Sequence, residues 1–233
     1  MTREELELLV NTNIMNLGHD VFDKLERLMD DTLITNEKFN LTAIKDKESF
    51  RELMIYDSLT VLKYINFADK EAIDVGTGAG YPGLPLALAT SGKFTLLDST
   101  KKKIDHINEY AKNNEIDNAV GVSARAEEYA LKNREKYDYV ISRAVAQLNV
   151  LLELCIPLLK ENGIFIAMKG AKAEEEIKQA CNALKKLNCE VVEINRINLP
   201  LSKEERNIIL IKKLAITNNR YPRKYNEIKA KPL

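Results

Sequence analysis

A glycine-rich loop directly behind a short apolar segment constrains the fold of this 233-residue chain more than any other feature. Residues 72–75 form the apolar segment, and a run of this kind ended by glycines is typical of a buried parallel strand. The loop that follows contains four glycines: Gly76, Gly78, Gly80 and Gly83. Glycine permits positive φ angles and lets a ligand approach the backbone closely. We therefore expect a ligand-binding turn between this strand and a helix over residues 82–89, whose amino end faces the ligand.

Two registers of this loop match known ligand-binding motifs. Gly78, Gly80 and Gly83 have the spacing of the dinucleotide-binding fingerprint, which binds NAD. A register that begins at Asp74 resembles the first motif of S-adenosylmethionine-dependent methyltransferases. We favour the second register because it starts directly at the strand end, whereas the first needs a longer strand. In either register Asp98, which ends the next strand, would accept hydrogen bonds from ribose hydroxyls; its alternative role is to cap the following helix.

Strand-like and helix-like segments alternate from Ala72 onward, as they do in a doubly wound α/β sheet. Seven segments are predicted to be strands: 72–75, 93–97, 119–122, 137–141, 164–168, 190–194 and 207–211. Four segments between or beside them are predicted to be helices: 82–89, 101–114, 148–159 and 171–187. The last two strands are close together in sequence, which predicts an antiparallel edge strand in an otherwise parallel, Rossmann-like sheet.

The regions on either side of this alternating pattern have a different character. Apolar residues recur at three- and four-residue spacing over residues 21–33, and a second helix is predicted over 50–65. We therefore divide the chain into an N-terminal helical extension, residues 1–70, and a sheet domain, residues 71–216. Residues 217–233 show no periodicity and predict an extended or partly disordered arm.

The formal net charge is zero, with 35 basic and 35 acidic residues, but the charges are segregated along the chain. Residues 1–70 carry nine basic and 14 acidic side chains, whereas residues 203–233 carry nine basic and three acidic ones. Neutrality therefore does not exclude RNA as a partner, since a basic end can contact phosphates locally. An acidic N-terminus, no long apolar run and three widely spaced cysteines predict a cytoplasmic protein that binds neither membrane nor metal.

Two motifs of known methyltransferases are absent from this sequence, and their absence disfavours some acceptors of the methyl group. The fourth strand leads into residues 141–145, Ile-Ser-Arg-Ala-Val, and not into the Pro-Pro-aromatic loop usual for methylation of an exocyclic adenine amine. No cysteine follows a proline, which disfavours pyrimidine C5 methylation, and both histidines lie in predicted helices. A ring nitrogen with a free lone pair, such as guanine N7, suits this sparse site because it needs no general base. We accordingly assign no catalytic residue.

Two cations and one loop are candidates for binding roles. Arg143 and Lys169 end predicted strands at the sheet edge where the glycine loop opens, and ligands of open α/β sheets bind at that edge. Arg143 is a candidate to contact cofactor or phosphate, and Lys169 a phosphate or base edge; the alternative for each is a surface cation. Ala126 and Glu127 follow the third strand and are candidates for an adenine pocket; the alternative is a helix start with favourably placed acids.

These segments resemble the RsmG family, also called GidB, over nearly the whole chain. The residues that carry the resemblance are Asn40-Leu41-Thr42, Asp57-Ser58-Leu59, Asp74-Val75-Gly76-Thr77-Gly78-Ala79-Gly80-Tyr81-Pro82-Gly83, Leu96-Leu97-Asp98-Ser99, Ile141-Ser142-Arg143-Ala144, Met168-Lys169-Gly170 and Glu205-Arg206-Asn207. The family comprises bacterial methyltransferases that form N7-methylguanosine in small-subunit (16S) ribosomal RNA. The resemblance implies a seven-stranded S-adenosylmethionine-dependent methyltransferase fold with an added N-terminal helical part, and ribosomal RNA within the small subunit as partner. We expect the enzyme to be a monomer.

The resemblance also implies site residues by their positions. The cofactor set comprises Gly76, Tyr81, Ala126, Glu127 and Arg143, beside Gly78 of the loop and the ribose-binding Asp98. The substrate set comprises Asn40, Lys169 and Arg206. Three features depart from the family: Met54 stands where a histidine is common, Tyr81 replaces the usual Leu or Phe, and Tyr225 and Glu227 stand where Gly and Pro usually follow the segment 221–224. An NAD-dependent oxidoreductase and a non-catalytic RNA-binding assembly factor remain as alternative functions.

Overall fold

The computed structural model describes residues 1–143 and 145–233, so Ala144 of the Ile-Ser-Arg-Ala segment lies outside the described residues. A seven-stranded sheet with the order β3-β2-β1-β4-β5-β7-β6 forms the centre of the molecule. Its strands are β1 Glu71–Val75, β2 Lys93–Asp98, β3 Ala119–Ser123, β4 Tyr137–Arg143, β5 Leu159–Lys169, β6 Cys189–Asn198 and β7 Glu205–Lys213. The predicted Rossmann-like α/β fold is confirmed. The antiparallel strand is β7, which lies one place inside the edge strand β6.

Helices cover both faces of the sheet. The N-terminal extension contains α1 Arg3–Asn13, α2 His19–Asn36 and one longer helical stretch, made of α3 Lys47–Phe50, a π-helical turn Arg51–Tyr56, α4 Asp57–Leu59 and a 3-10 turn Thr60–Lys63. The other helices are α5 Gly83–Ala89, α6 Lys101–Asn113, α7 Ala126–Lys132, α8 Leu148–Cys155, α9 Ala173–Gln179, α10 Cys181–Lys186 and α11 Tyr225–Ala230. Among the described helices, none is long and apolar enough to cross a membrane.

Two predicted helices are shorter in the structure than their apolar pattern suggested. The helix predicted over 148–159 ends at Cys155 and continues only as a 3-10 turn, Ile156–Leu158. Pro157 lies in that turn and cannot donate the backbone hydrogen bond that a longer α-helix needs. Strand β5 consequently begins at Leu159, five residues earlier than predicted. The helix predicted over 171–187 is divided at Ala180 into α9 and α10.

Neighbouring residues of the central strands point to opposite faces of the sheet, so each face has its own apolar core. Ala72 of β1 and Ile141 of β4 join the core formed with the N-terminal extension, α5 and α6. Their sequence neighbours Ile73 and Val140 join the core beneath α7, α8 and the C-terminal residues. The extension is therefore packed on the sheet rather than attached to it by a linker.

The C-terminal residues differ from the prediction of an extended or partly disordered arm, which is wrong for this segment. Tyr221 is 3% exposed, and residues 225–230 form helix α11. Arg134, just before β4, donates to Thr217 O over 2.6 Å and to Tyr221 O over 2.5 Å. Specific partners elsewhere in the fold therefore hold the basic C-terminal segment, and periodicity within the segment cannot reveal such partners.

Candidate active site

The glycine loop turns over the carboxyl ends of β1 and β2. Gly76 and Gly78 have φ angles of 77° and 61°, a region that residues with side chains rarely adopt. The N–H groups of Gly76 and Thr77 donate to Leu97 O over 2.8 and 3.0 Å. The N–H of Gly78 donates to Asp98 Oδ2 over 3.1 Å. Strand β2 thus fixes the position of the loop. The hydrogen bond between Gly78 and Asp98 joins two of the predicted cofactor residues.

Asp74, the penultimate residue of β1, lies beneath this loop and is fully buried. One carboxylate oxygen, Oδ2, accepts from Thr77 Oγ1 over 2.7 Å and from the N–H of Gly83 over 2.9 Å. The other oxygen, Oδ1, has no hydrogen-bond partner among the described residues. Burial is the main cause that raises the pKa of this carboxyl to about 6. Asp74 therefore holds the loop through Thr77 and the start of α5 through Gly83, although burial of its charged form is unfavourable.

Asp74→Asn is expected to change the pH dependence of stability. The folded-state pKa, about 6, lies above the ordinary value of 3.8, so the folded protein holds the proton more tightly than the unfolded chain. The resulting stabilisation is complete below the ordinary value and is lost as the pH rises through the folded-state pKa. Between pH 5 and pH 7, wild type should lose about 1.4 kcal/mol of unfolding free energy relative to the variant.

Urea unfolding of wild type and Asp74→Asn at pH 5, 6 and 7 measures this difference. Asp117→Asn, at an exposed carboxylate, is the matched control and should keep the wild-type profile. Parallel profiles for wild type and Asp74→Asn would contradict the assignment of a raised pKa to this buried carboxyl.

A cavity of about 720 Å³ lies between the glycine loop, the carboxyl ends of β4 and β5, and the N-terminal extension. This volume is typical of small-molecule sites, which span roughly 300–1,000 Å³. The loop contributes Gly76, Thr77, Gly78, Ala79 and Tyr81, the extension contributes Leu41, Thr42, Ile44, Leu53, Met54 and Asp57, and the sheet edge contributes Arg143, Met168, Lys169, Gly170 and Arg206. The predicted cofactor loop and three predicted cations therefore line one cavity.

Arg143 lies at the end of β4 and is held by the N-terminal extension. Its Nη1 donates to Leu53 O over 3.2 Å and to Asp57 Oδ2 over 3.1 Å. Its Nη2 lies 3.4 Å from Met54 Sδ, so the residue that replaces the family histidine contacts this guanidinium. The side chain is 13% exposed. Arg143 is thus a fixed wall of the cavity and not a mobile surface cation.

Lys169 ends β5 and is also buried, with an exposed side-chain fraction of 6%. Its ammonium lies 2.7 Å from Glu176 Oε2 and donates to Ala146 O over 2.5 Å. Glu176 Oε2 also accepts from the N–H of Leu148, at the start of α8, over 2.8 Å. Lys169 therefore lines the cavity but already has an anionic partner, and it connects the β4–α8 loop with α9.

The predicted substrate residue Asn40 is exposed, whereas its neighbours Leu41 and Thr42 line the cavity. Asn36 holds this turn: its Oδ1 accepts from the N–H of Leu41 over 2.7 Å and of Thr42 over 3.0 Å, and its Nδ2 donates to Thr42 O over 3.0 Å. The segment from α2 to α3 is thus fixed across the cavity from the glycine loop.

The other predicted cofactor residues, Asp98, Ala126 and Glu127, do not line the cavity. Asp98 is half-buried, and its Oδ1 accepts from the N–H of Thr100, the residue before α6, over 2.8 Å. Asp98 therefore does not cap α6, whose N-cap is Thr100, so the predicted capping role is wrong, and its lone pairs still leave room for ribose hydroxyls. Ala126 and Glu127 begin α7, and Glu127 lines a separate hollow with Arg125 and residues of the C-terminal segment.

Tyr81 lines the cavity with its ring but directs its hydroxyl away to α2. The hydroxyl lies 3.2 Å from Thr32 Oγ1, and the ring packs edge-on against Phe50 at a centroid distance of 5.4 Å. Burial raises the pKa of this phenol well above its usual range, so the hydroxyl stays neutral. The hydroxyl added by this departure from the family therefore has a partner inside the N-terminal extension.

The cavity fits a nucleoside cofactor of the kind predicted. A Cβ added to Gly78 would meet no heavy atom within 4 Å, so the space in front of the loop is open. Asp98 lies directly behind that loop, and Leu41, Ile44 and Leu53 form an apolar wall opposite. A carboxylate beside the loop, an open glycine backbone and an apolar wall match the ribose hydroxyls and the adenine ring of S-adenosylmethionine.

Solved structures share this fold. TYW2 from M. jannaschii, crystallised in complex with AdoMet, superposes with a TM-score of 0.57 at 16% sequence identity, covering 74% of this chain and 78% of that one. TYW2 from P. horikoshii, in complex with MeSAdo, superposes with a TM-score of 0.56 at 13% identity, covering 68% and 62%. These similarities show that the chain shares the fold of these two proteins.

The family follows from sequence similarity. The model of the GidB family, rRNA small subunit methyltransferase G, matches residues 22–209. Proteins of that description from Bacillus cytotoxicus and Halalkalibacterium halodurans are each 40% identical to this chain, over 96% and 94% of it and over 95% and 93% of their own lengths. The chain belongs to this family. The predicted family, enzyme class and cofactor are confirmed, and the oxidoreductase and the non-catalytic assembly factor are set aside.

Three residues that organise the cavity were not predicted as site residues from the sequence: Asp57, Glu176 and Asn36. Asp57 carries a signal in retrospect, because a lone acid within the apolar run 53–62 demands a buried partner. Glu176 is one of three consecutive glutamates in the first turn of α9, so nothing local distinguishes it. Asn36 acts through backbone groups of a turn, which composition does not reveal.

Proposed function

We propose that this enzyme transfers a methyl group from S-adenosylmethionine to N7 of a guanine in 16S ribosomal RNA. The observation that carries the proposal is the shared cavity, which the glycine loop lines together with Arg143, Lys169 and Arg206 at the same edge of the sheet. The printed function of the relatives, rRNA small subunit methyltransferase G, supports ribosomal RNA as the substrate. We further propose that the enzyme acts as a cytoplasmic monomer without a metal.

The ionisable groups around the cavity favour a reaction without a general base. Asp57 and Glu176 are both in ion pairs with cations, and Lys169 is paired with Glu176. The Tyr81 hydroxyl contacts Thr32 and stays neutral. Guanine N7 carries a lone pair and no proton, so it can attack an electrophilic carbon without losing a proton first. This acceptor therefore needs no free base among the described residues that line the cavity.

When bound, S-adenosylmethionine supplies an electrophilic methyl group on a positively charged sulfur. The guanine N7 lone pair forms the new N–C bond, and the electron pair of the broken C–S bond stays on sulfur. The contribution of the protein is positioning and exclusion of water: the apolar residues of the extension face the glycine loop, and Arg143 is fixed between them. Arg206, with 23% of its side chain exposed, is placed to contact phosphate at the rim.

Incubation of the purified enzyme with methyl-labelled S-adenosylmethionine and small ribosomal subunits, or with protein-free 16S RNA, tests the proposal. Digestion to nucleosides should place the label in 7-methylguanosine in at least one of the two reactions. Label in a methylated adenosine or pyrimidine, or no incorporation into either substrate, would overturn it. Comparison of the two reactions identifies the form of RNA that the enzyme accepts.

A further inference from the structure

One buried carboxylate joins the cofactor side of the cavity to the substrate side. Asp57 Oδ2 lies 3.1 Å from Arg143 Nη1 and 3.5 Å from Arg206 Nε. Arg143 ends β4 and Arg206 lies at the start of β7, with β5 between the two strands. The Asp57 side chain is only 3% exposed, and its Oδ1 has no hydrogen-bond partner among the described residues. Its polar contacts are thus concentrated on these two guanidinium groups.

The π-helical turn explains how a single segment reaches both arginines. The N–H of Asp57 donates to Glu52 O, five residues back, and so withdraws the donor that an α-helix would supply to Leu53 O. Leu53 O instead accepts from Arg143. Every hydrogen-bond partner that the described structure gives the Arg143 guanidinium lies within residues 53–57.

The same turn also fixes the chain on the Arg206 side. The carboxylate of Glu52, which is 4% exposed, accepts from the N–H groups of Leu201 and Ser202 over 2.5 and 3.1 Å. These two residues lie in the β6–β7 loop, immediately before the strand that carries Arg206. Arg206 itself has a second carboxylate partner, Glu204, at 2.7 Å on the exposed side.

The two contacts of Asp57 are unequal, and their inequality has a chemical consequence. The distance from Asp57 to Arg143 is shorter than the distance to Arg206, and the side chain of Arg143 is more buried than that of Arg206. The two guanidinium groups share one carboxylate oxygen of Asp57, and the exposed Glu204 is the other carboxylate partner of Arg206, so an RNA phosphate at the rim can take the place of Glu204. A phosphate that draws Arg206 outward leaves the Asp57 carboxylate to Arg143 alone.

We propose that Asp57 is a positioning residue that makes cofactor binding and RNA binding depend on each other. RNA phosphate binds Arg206, the Asp57 carboxylate then holds Arg143 more firmly, and the cofactor binds more tightly to the fixed Arg143. Because such coupling is reciprocal, bound cofactor strengthens RNA binding by the same factor. The inference rests on the proposed RNA methylation and assigns the coupling to one side chain.

The test measures the Kd of S-adenosylhomocysteine, which has no methyl group to transfer, with and without purified small ribosomal subunits or 16S RNA. The wild type should bind it about fivefold more tightly when the RNA substrate is present. Asp57→Asn keeps the size of the side chain and removes its charge, so its two Kd values should agree. Arg206→Ala, at a partly exposed position, should remove the difference equally, and the double variant should match each single one.

Glu204→Gln is the matched control, since it removes the other carboxylate partner of Arg206 and should keep the fivefold ratio. If the role of Asp57 were purely structural, Asp57→Asn would lower the melting temperature or raise both Kd values, and the ratio of the two Kd values would stay at the wild-type level. That result overturns the inference, as does a wild-type ratio of one. The labelled-methyl assay is independent of this ratio, so failure of the proposed function is recognised separately by absent 7-methylguanosine.

Discussion

Replacement of Arg223 by alanine is expected to lower the free energy of unfolding by about 3 kcal/mol, more than any other single change considered for stability. Glu153, on α8, is fully buried, and its carboxylate accepts from the Arg223 backbone N–H, Nε and Nη2 over 2.9, 2.8 and 2.6 Å. Alanine removes the guanidinium and leaves a buried carboxylate with one backbone donor. Because 23% of the Arg223 side chain is exposed, we expect the lower end of the range for broken buried pairs.

Urea unfolding at neutral pH measures this loss. Lys224→Ala, at the exposed neighbouring position, is the matched control and should leave the midpoint unchanged. The double variant Glu153→Met/Arg223→Met removes both charges and should recover most of the stability, since the buried charge itself is then gone. An Arg223→Ala midpoint equal to wild type would contradict the stabilising role assigned to the Glu153–Arg223 ion pair.

Arg143→Ala is expected to reduce kcat/KM for RNA methylation by at least about 100-fold. The substitution removes a cation that lines the cavity and breaks its contacts with Leu53 O, Met54 Sδ and Asp57. Arg143→Lys should also be severely impaired, because an ammonium cannot reproduce the forked geometry that reaches these separate partners. Activity is measured with labelled cofactor at a concentration below saturation.

Two controls separate this effect from unfolding. Circular dichroism should show that Arg143→Lys retains the helical content of wild type. Arg196→Ala removes an arginine that is 57% exposed and paired on the outer strand β6, and it should retain full activity. Wild-type turnover by Arg143→Ala below cofactor saturation would remove this residue from the site.

The positions of the strands and of the glycine loop could be predicted because their causes are local. An apolar run such as 72–75 with glycines behind it leaves few alternatives to a buried strand and a turn. The carboxyl ends of parallel strands meet at one edge, so Gly76, Arg143 and Lys169 could be expected near one another. The alternation of strands and helices made the sheet itself predictable in the same way.

The features that escaped prediction depend on partners far away in sequence. The π-helical turn breaks the expected regular helix over 50–65 because its carbonyl and carboxylate groups bond to β4 and to the β6–β7 loop. The C-terminal segment has no internal periodicity, yet Arg134 and Glu153 bind it. Lys169 looked like a free cation at a strand end, and only the fold reveals that Glu176 pairs with it.

Mass mapping of methylated nucleotides in 16S RNA, from cells with and without this chain, tests the central claim most directly. Cells that contain the wild-type chain should carry one 7-methylguanosine that is missing from cells without it, and Arg143→Ala should fail to restore the modification. Identical maps from the two cell lines, or a difference at a nucleotide other than guanine, would contradict the proposed reaction.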